Sequence, residues 1–188
     1  MRSEIIRKCV HCFGCVAAVA AAWLPLWLVV SGSAAVVLLY LAGEARRMRG
    51  RTLPPITTVT ELCSRREESR RPALGPVALA FGFVGAFVVF TPEIARAAFV
   101  ISCIADSVAA LVGQRIGRHA IPFSRKKTCE GSVGGFVCAL PFGLVCTGPW
   151  RALAATAAVA VAEMLPLGDL DNLLLPFVAG CVLTLPLG

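Results

Sequence analysis

At 188 residues, 57% of them hydrophobic and only 15% charged, with a mean hydropathy of +0.80, the chain carries more apolar surface than a soluble fold of its size can hide. The same richness excludes disorder, which requires low hydrophobicity. The formal charge of +7 has to be read by position: every Lys and Arg except Arg96 and Arg151 falls into one of three clusters separated by apolar stretches, which is the pattern of a polytopic membrane protein and not of a nucleic-acid binder.

The apolar stretch Cys9–Gly43 is too long for one span, which takes about 20 residues. Pro25, within Trp23-Leu-Pro-Leu-Trp27, divides it into two short helices joined by a tight turn, with both Trp at the membrane interface. No cleavable signal peptide is expected, because the stretch runs long and lacks a clear cleavage site. Residues 44–71 form a first cytoplasmic loop rich in Arg, with Pro54-Pro55 and a short amphipathic helix near Thr60–Arg70. A third span covers Ala73–Phe90, Thr91-Pro92-Glu93 turns the chain, and a fourth span covers Ile94–Val112. Residues 113–131 form a second basic cytoplasmic loop. The fifth span is Val133–Thr147, Gly148-Pro149 is a turn, and the sixth span runs from Arg151 to Leu167. The polar loop Gly168–Asp171 leads into a seventh span, Asn172–Leu187.

The expected fold is therefore all-α: a polytopic integral membrane bundle of about seven transmembrane helices, with residues 1–188 forming a single membrane-embedded domain. Two spans separate each basic cluster from the next, so all three clusters and the Gly168–Asp171 loop share one side. The positive-inside rule makes that side the cytoplasm, with the N-terminus inside. Most of the nine cysteines lie in apolar segments and serve as small hydrophobes. Cys12-x-x-Cys15 beside His11 lacks the second pair that a tetrahedral metal site needs.

The informative residues are the polar ones that do not belong in lipid. Asp106 lies inside an apolar helix, at a cost of about 2.5–3.5 kcal/mol on insertion scales. Either a neighbouring Ser or Arg satisfies it, or it has a use. On helical spacing it shares a face with Ala110, Gly113 and Gly117, which leaves room for another helix or a ligand. Arg125-Lys-Lys-Thr-Cys-Glu-Gly-Ser132 combines three cations with hydroxyls and a glycine, which suits a phosphate. The competing reading is a basic loop that fixes topology and meets anionic lipid. Asp169, Asp171 and Asn172 offer oxygen ligands to Mg2+, or else form a polar turn that caps the seventh helix. Glu163 adds a further acid near the same face, and Glu4, Arg7, Lys8 and His11 form one polar stripe entering the membrane. Cations for phosphate, carboxylates for a metal and an apolar setting for a lipid together suggest phosphoryl transfer. No Gly-Lys pair and no Gly-x-Gly-x-x-Gly loop occurs, so any nucleotide site is of another type.

Four segments, in order, resemble the polyprenol kinase family, which includes dolichol kinase, phytol kinase and CTP-dependent diacylglycerol kinase and is related to the phosphatidate cytidylyltransferases. They are Glu4-Ile-Ile-Arg-Lys-Cys-Val-His11, Ala105-Asp106-Ser-Val-Ala-Ala-Leu-Val-Gly113, Lys126-Lys-Thr-Cys-Glu-Gly-Ser132, and the acid-rich stretch from Glu163 through Asp171-Asn172 to Pro176. Ala105 departs from the pattern, standing where the family often has Gly. The chain also lacks the extra N-terminal spans of dolichol kinases, which points to the compact members.

The resemblance implies a Mg2+-dependent transfer of the γ-phosphate of CTP, or ATP, to the hydroxyl of diacylglycerol or a polyprenol such as dolichol. The alternative it carries is CDP-lipid synthesis from a lipid phosphate. It implies a nucleotide site of Arg7, Lys8, His11, Lys126, Lys127, Thr128, Gly131 and Ser132. Mg2+ would be held by Asp106, Asp169, Asp171 and Asn172, and catalysis would fall to Asp106, Lys127, Glu130 and Asp169. The implied partners are the membrane lipid, the nucleotide and, as an option, a second copy in a homodimer. The implied location is the endoplasmic reticulum membrane in a eukaryote, or the inner or plasma membrane in a prokaryote.

Overall fold

The computed structural model describes residues 2–51 and 74–186. The expected helix near Thr60–Arg70 lies outside the described residues, as do the side chains of Glu4 and Lys126. Among the described residues are seven α-helices: α1 (Arg2–Ala21), α2 (Leu26–Met48), α3 (Gly75–Val89), α4 (Pro92–Ile116), α5 (Cys129–Cys146), α6 (Pro149–Glu163) and α7 (Asp171–Leu183). Proline marks most of the starts. Pro25 caps α2, and Pro92 and Pro149 open α4 and α6, where the missing N–H costs nothing.

α4 is the centre of the bundle and is buried on two faces. On one face Ala97, Ala98, Ile101 and Ala105 pack against Ala139 of α5, Ala155 and Val159 of α6, and Leu175, Ala179 and Leu183 of α7. On the other, Ala95, Phe99 and Cys103 meet Ala18 and Ala21 of α1, Val29 of α2, and Ala86 and Phe87 of α3. The small residues let backbones approach, as in membrane helix pairs. A Cβ on Gly131 or Gly135 of α5 would lie 2.6 Å from the carbonyl oxygen of Ala109 or Ala105 of α4, so the two helices touch through their backbones. Ala105 therefore finds its room in its partner helix, which has Gly at the contact.

α2, α4 and α5 are long and apolar enough to cross a membrane. α2 leaves Val36, Leu38 and Leu39 more than half exposed, a surface that suits lipid and not water. α3, α6 and α7 have 15, 15 and 13 residues. At 1.5 Å per residue they reach roughly 20–23 Å, short of a hydrocarbon core of about 30 Å. The expected sixth span shortens because α6 ends at Glu163 and not at Leu167, and the seventh because α7 ends at Leu183, with a 3-10 turn over Gly168–Leu170 between the two helices.

The second basic loop departs from helix. α4 runs through Gly113 to Ile116, and the residues beyond it form an antiparallel hairpin, β1 (Ala120–Ile121) and β2 (Ser124–Thr128), with Ala120 opposite Thr128 and Ile121 opposite Ser124. α5 then starts at Cys129, not near Val133. The basic run of β2 has no apolar alternation, so nothing in hydropathy announces a strand. Residues 44–48 of the expected first loop belong to α2 instead, which extends to Met48 with Arg46 and Arg47 in its last turn, where cations suit the helix dipole.

Candidate active site

The hairpin fixes where the conspicuous basic run points. β2 leads directly into α5, and Thr128 caps that helix by accepting from the Gly131 N–H at 3.2 Å. Lys127, the last residue before the cap, reaches across to the far end of α6 and the start of α7. Its ammonium lies 2.8 Å from Asp171 Oδ2 and 3.4 Å from Glu163 Oε1, and it also donates to the Glu163 carbonyl oxygen. Ser132, one turn into α5, donates to Glu163 Oε2 at 3.1 Å. Three elements that are far apart in sequence thus meet at one lysine.

A second ion pair adjoins this one. Lys8 of α1 binds Asp106 of α4, and both side chains are nearly sealed from solvent. Asp106 is close enough to act electrostatically on both Glu163 and Asp171, while Lys8 acts on Asp171 and Arg7 and His11 act on Asp106. The helix geometry accounts for the gathering. Ser132 and Asp171 lie at the starts of α5 and α7 and Glu163 at the end of α6, so the positive ends of α5 and α7 lie beside the cluster. Buried charges in an apolar bundle are tolerated only when paired, and here Lys8 and Lys127 each have a carboxylate.

Other expected site residues are elsewhere. Glu130 accepts from the His119 backbone N–H at 3.2 Å and lies 2.6 Å from the His119 ring nitrogen, at the base of the hairpin. Asn172 donates to the Gly75 carbonyl oxygen at 3.4 Å, and Asp169 lies beside the same glycine at the start of α3. Gly131 is packed against α4, so it serves helix contact, and Thr128 serves as the cap. Asp171 alone of the Asp169–Asn172 group faces Lys127. Glu163 is the participant that sequence reasoning noted as a nearby acid but gave no role. The missing signal was tertiary, since nothing in the spacing joins residue 127 to residue 163.

Among the described residues, no three His, Cys, Asp or Glu side chains converge as a preformed metal cage. One observation does fit a cation. Asp171 Oδ1 is buried and has no hydrogen-bond partner, although its sister oxygen holds Lys127. Mg2+ commonly takes one or two carboxylates and fills its shell with water and substrate phosphates, so a single orphaned oxygen beside two lysines is a compatible donor.

The family model described as the cytidylyltransferase family matches residues 77–172, which take in α4, the hairpin, α5, α6 and the start of α7. CTP-dependent diacylglycerol kinase 1 of Schizosaccharomyces pombe is 30% identical over 126 residues, covering 56% of this chain. The match spans 58% of that protein's length. No solved structure matches the chain.

Proposed function

We propose that this chain, which belongs to the cytidylyltransferase family, is a CTP-dependent lipid kinase that moves the γ-phosphate of a nucleoside triphosphate to the hydroxyl of a membrane lipid. The observation that carries the reading is Lys127 held between Asp171 and Glu163, beside the Lys8–Asp106 pair, inside an apolar helical bundle. The similarity to a CTP-dependent diacylglycerol kinase supports CTP as donor and a glycerolipid alcohol as acceptor. The wider resemblance keeps a polyprenol such as dolichol as a second acceptor.

Phosphoryl transfer asks a protein chiefly to position its reactants and stabilise charge. Lys127 and Lys8 supply fixed positive charge to the phosphates, with Arg7 and His11 beside them, and Lys126 stands next to Lys127 in sequence. Ser132 and the N-terminal end of α5 frame the same region. Asp171, whose Oδ1 is buried without a hydrogen-bond partner, would hold Mg2+, which would supply positive charge beside the transferring group. Asp106 is one of three buried carboxylates of the region, with Glu163 and Asp171, and the one we assign to the reacting end. In this reading all seven helices cross or enter the bilayer, the N-terminus is cytoplasmic, and the lipid reaches the cluster from the side.

The second reading is CDP-lipid synthesis, which the family description favours. It uses the same nucleotide and the same lysines but breaks a different phosphate bond. A screen of the purified protein against diacylglycerol, dolichol, shorter polyprenols and phytol, each with CTP and with ATP, tests the proposal. Phosphorylated diacylglycerol formed with CTP at rates well above ATP is the expected result. Turnover of none of these alcohols with either nucleotide would contradict it.

A further inference from the structure

A lysine ammonium has three N–H donors. Around Lys127 three acceptors are present: the Glu163 carbonyl oxygen, Asp171 Oδ2 at 2.8 Å and Glu163 Oε1 at 3.4 Å. The first two lie within hydrogen-bond reach. The third is long for a charge-assisted bond, which runs at about 2.7–2.9 Å. The Glu163 carboxylate is anchored from its other side, where Oε2 accepts from Ser132. It is also 5% exposed, so water does not compete for it.

A phosphate oxygen that binds Lys127 must take over one of these three donors. The carbonyl and Asp171 hold the ammonium in place, so the donor that yields is the one directed at Glu163 Oε1. We propose that Glu163 is a positioning residue that competes with the nucleotide for Lys127: it holds the third N–H until a phosphate oxygen displaces it, while Ser132 keeps the displaced carboxylate in place. This rests on the reading of Lys127 as a phosphate-binding residue of a CTP-dependent enzyme.

The competition has a signature that a merely structural role lacks. Glu163→Gln keeps an oxygen for Ser132 but removes the charge that draws Lys127. The KM for CTP should fall about three- to tenfold, the scale of one charge-assisted contact, while the KM for the lipid stays unchanged. Ser132→Ala releases Oε2, lets the carboxylate close on Lys127, and should raise the KM for CTP. Loss of packing would raise KM or lower kcat in both variants and would not produce opposite signs.

The experiment is steady-state kinetics of the full chain and both variants, with CTP and lipid varied separately, alongside thermal unfolding in detergent. A lower KM for CTP in Glu163→Gln together with a higher one in Ser132→Ala supports the proposal, with Glu163→Ala read in place of Glu163→Gln should that variant fail to fold. An active unsubstituted protein whose KM for CTP is unchanged or raised in Glu163→Gln, or unchanged or lowered in Ser132→Ala, overturns this inference alone. An unsubstituted protein that transfers no phosphate from CTP overturns the functional reading and this inference with it.

Discussion

Asp106→Asn is expected to lower lipid phosphorylation to about one-hundredth or less, the scale on which a fixed charge at a reacting centre acts. The substitution is nearly isosteric, so packing around α4 survives, but Lys8 is left buried without its counter-charge. Removing one member of a buried pair typically costs about 3–5 kcal/mol, so the variant should also melt earlier in detergent. The two effects can be separated. The double variant Lys8→Met with Asp106→Leu replaces the pair by apolar side chains, and such replacements are often neutral or stabilising. It should regain thermal stability and remain inactive. Recovery of activity along with stability would show that the Lys8–Asp106 pair serves packing alone.

Lys127→Ala is expected to be as damaging, again leaving about one-hundredth of the activity or less. Here the cause is twofold. The phosphate loses its best-placed cation, and Asp171 and Glu163 face one another without the ammonium between them. One of two such carboxylates takes up a proton to relieve the repulsion, so the site changes charge as well as shape. Lys127→Arg keeps the charge but brings a planar fork where a compact ammonium fits among three acceptors, and it should restore only part of the activity. Activity assays on membranes carrying equal amounts of each variant measure both. Wild-type rates in Lys127→Ala would remove Lys127 from the site.

Much of the bundle was legible from punctuation. Pro25, Pro92 and Pro149 and the polar break at Gly168–Asp171 placed the helix starts to within a few residues, because proline costs no hydrogen bond at a helix start and a polar run interrupts an apolar span, whereas Pro141 and Pro176 lie inside α5 and α7. The hairpin was not legible. Its strands are short, β1 being Ala-Ile and β2 a basic run, and Thr128 at the end of β2 fits beside Gly113 of α4 and Gly117 just after it, a contact that no local pattern announces.

The site was legible by residue type and not by pairing. Asp106, Lys127 and Asp171 stood out as charges that an apolar chain has no reason to keep unless they are used. That Lys8 belongs to Asp106, across 98 residues, and Lys127 to Asp171, across 44, depends on how α1, α6 and α7 lean on α4. Glu163 illustrates the gap. Its place in an apolar helix marked it as unusual, but its role comes from Lys127 and Ser132, which the fold delivers from the far end of the hairpin. Asp169 and Asn172 are the converse case, since their chemistry suits a metal but both lie beside Gly75 at the start of α3, while Asp171 faces Lys127.

The most direct test of the central claim is where the label goes. Purified protein in lipid micelles containing diacylglycerol is supplied in parallel with CTP labelled at the γ-phosphate and CTP labelled at the α-phosphate. Transfer to an alcohol predicts lipid-bound label from the γ position and none from the α position. With phosphatidate in place of diacylglycerol, neither label should enter the lipid. Label from the α position appearing in a CDP-lipid would contradict the kinase account and establish the cytidylyltransferase reading.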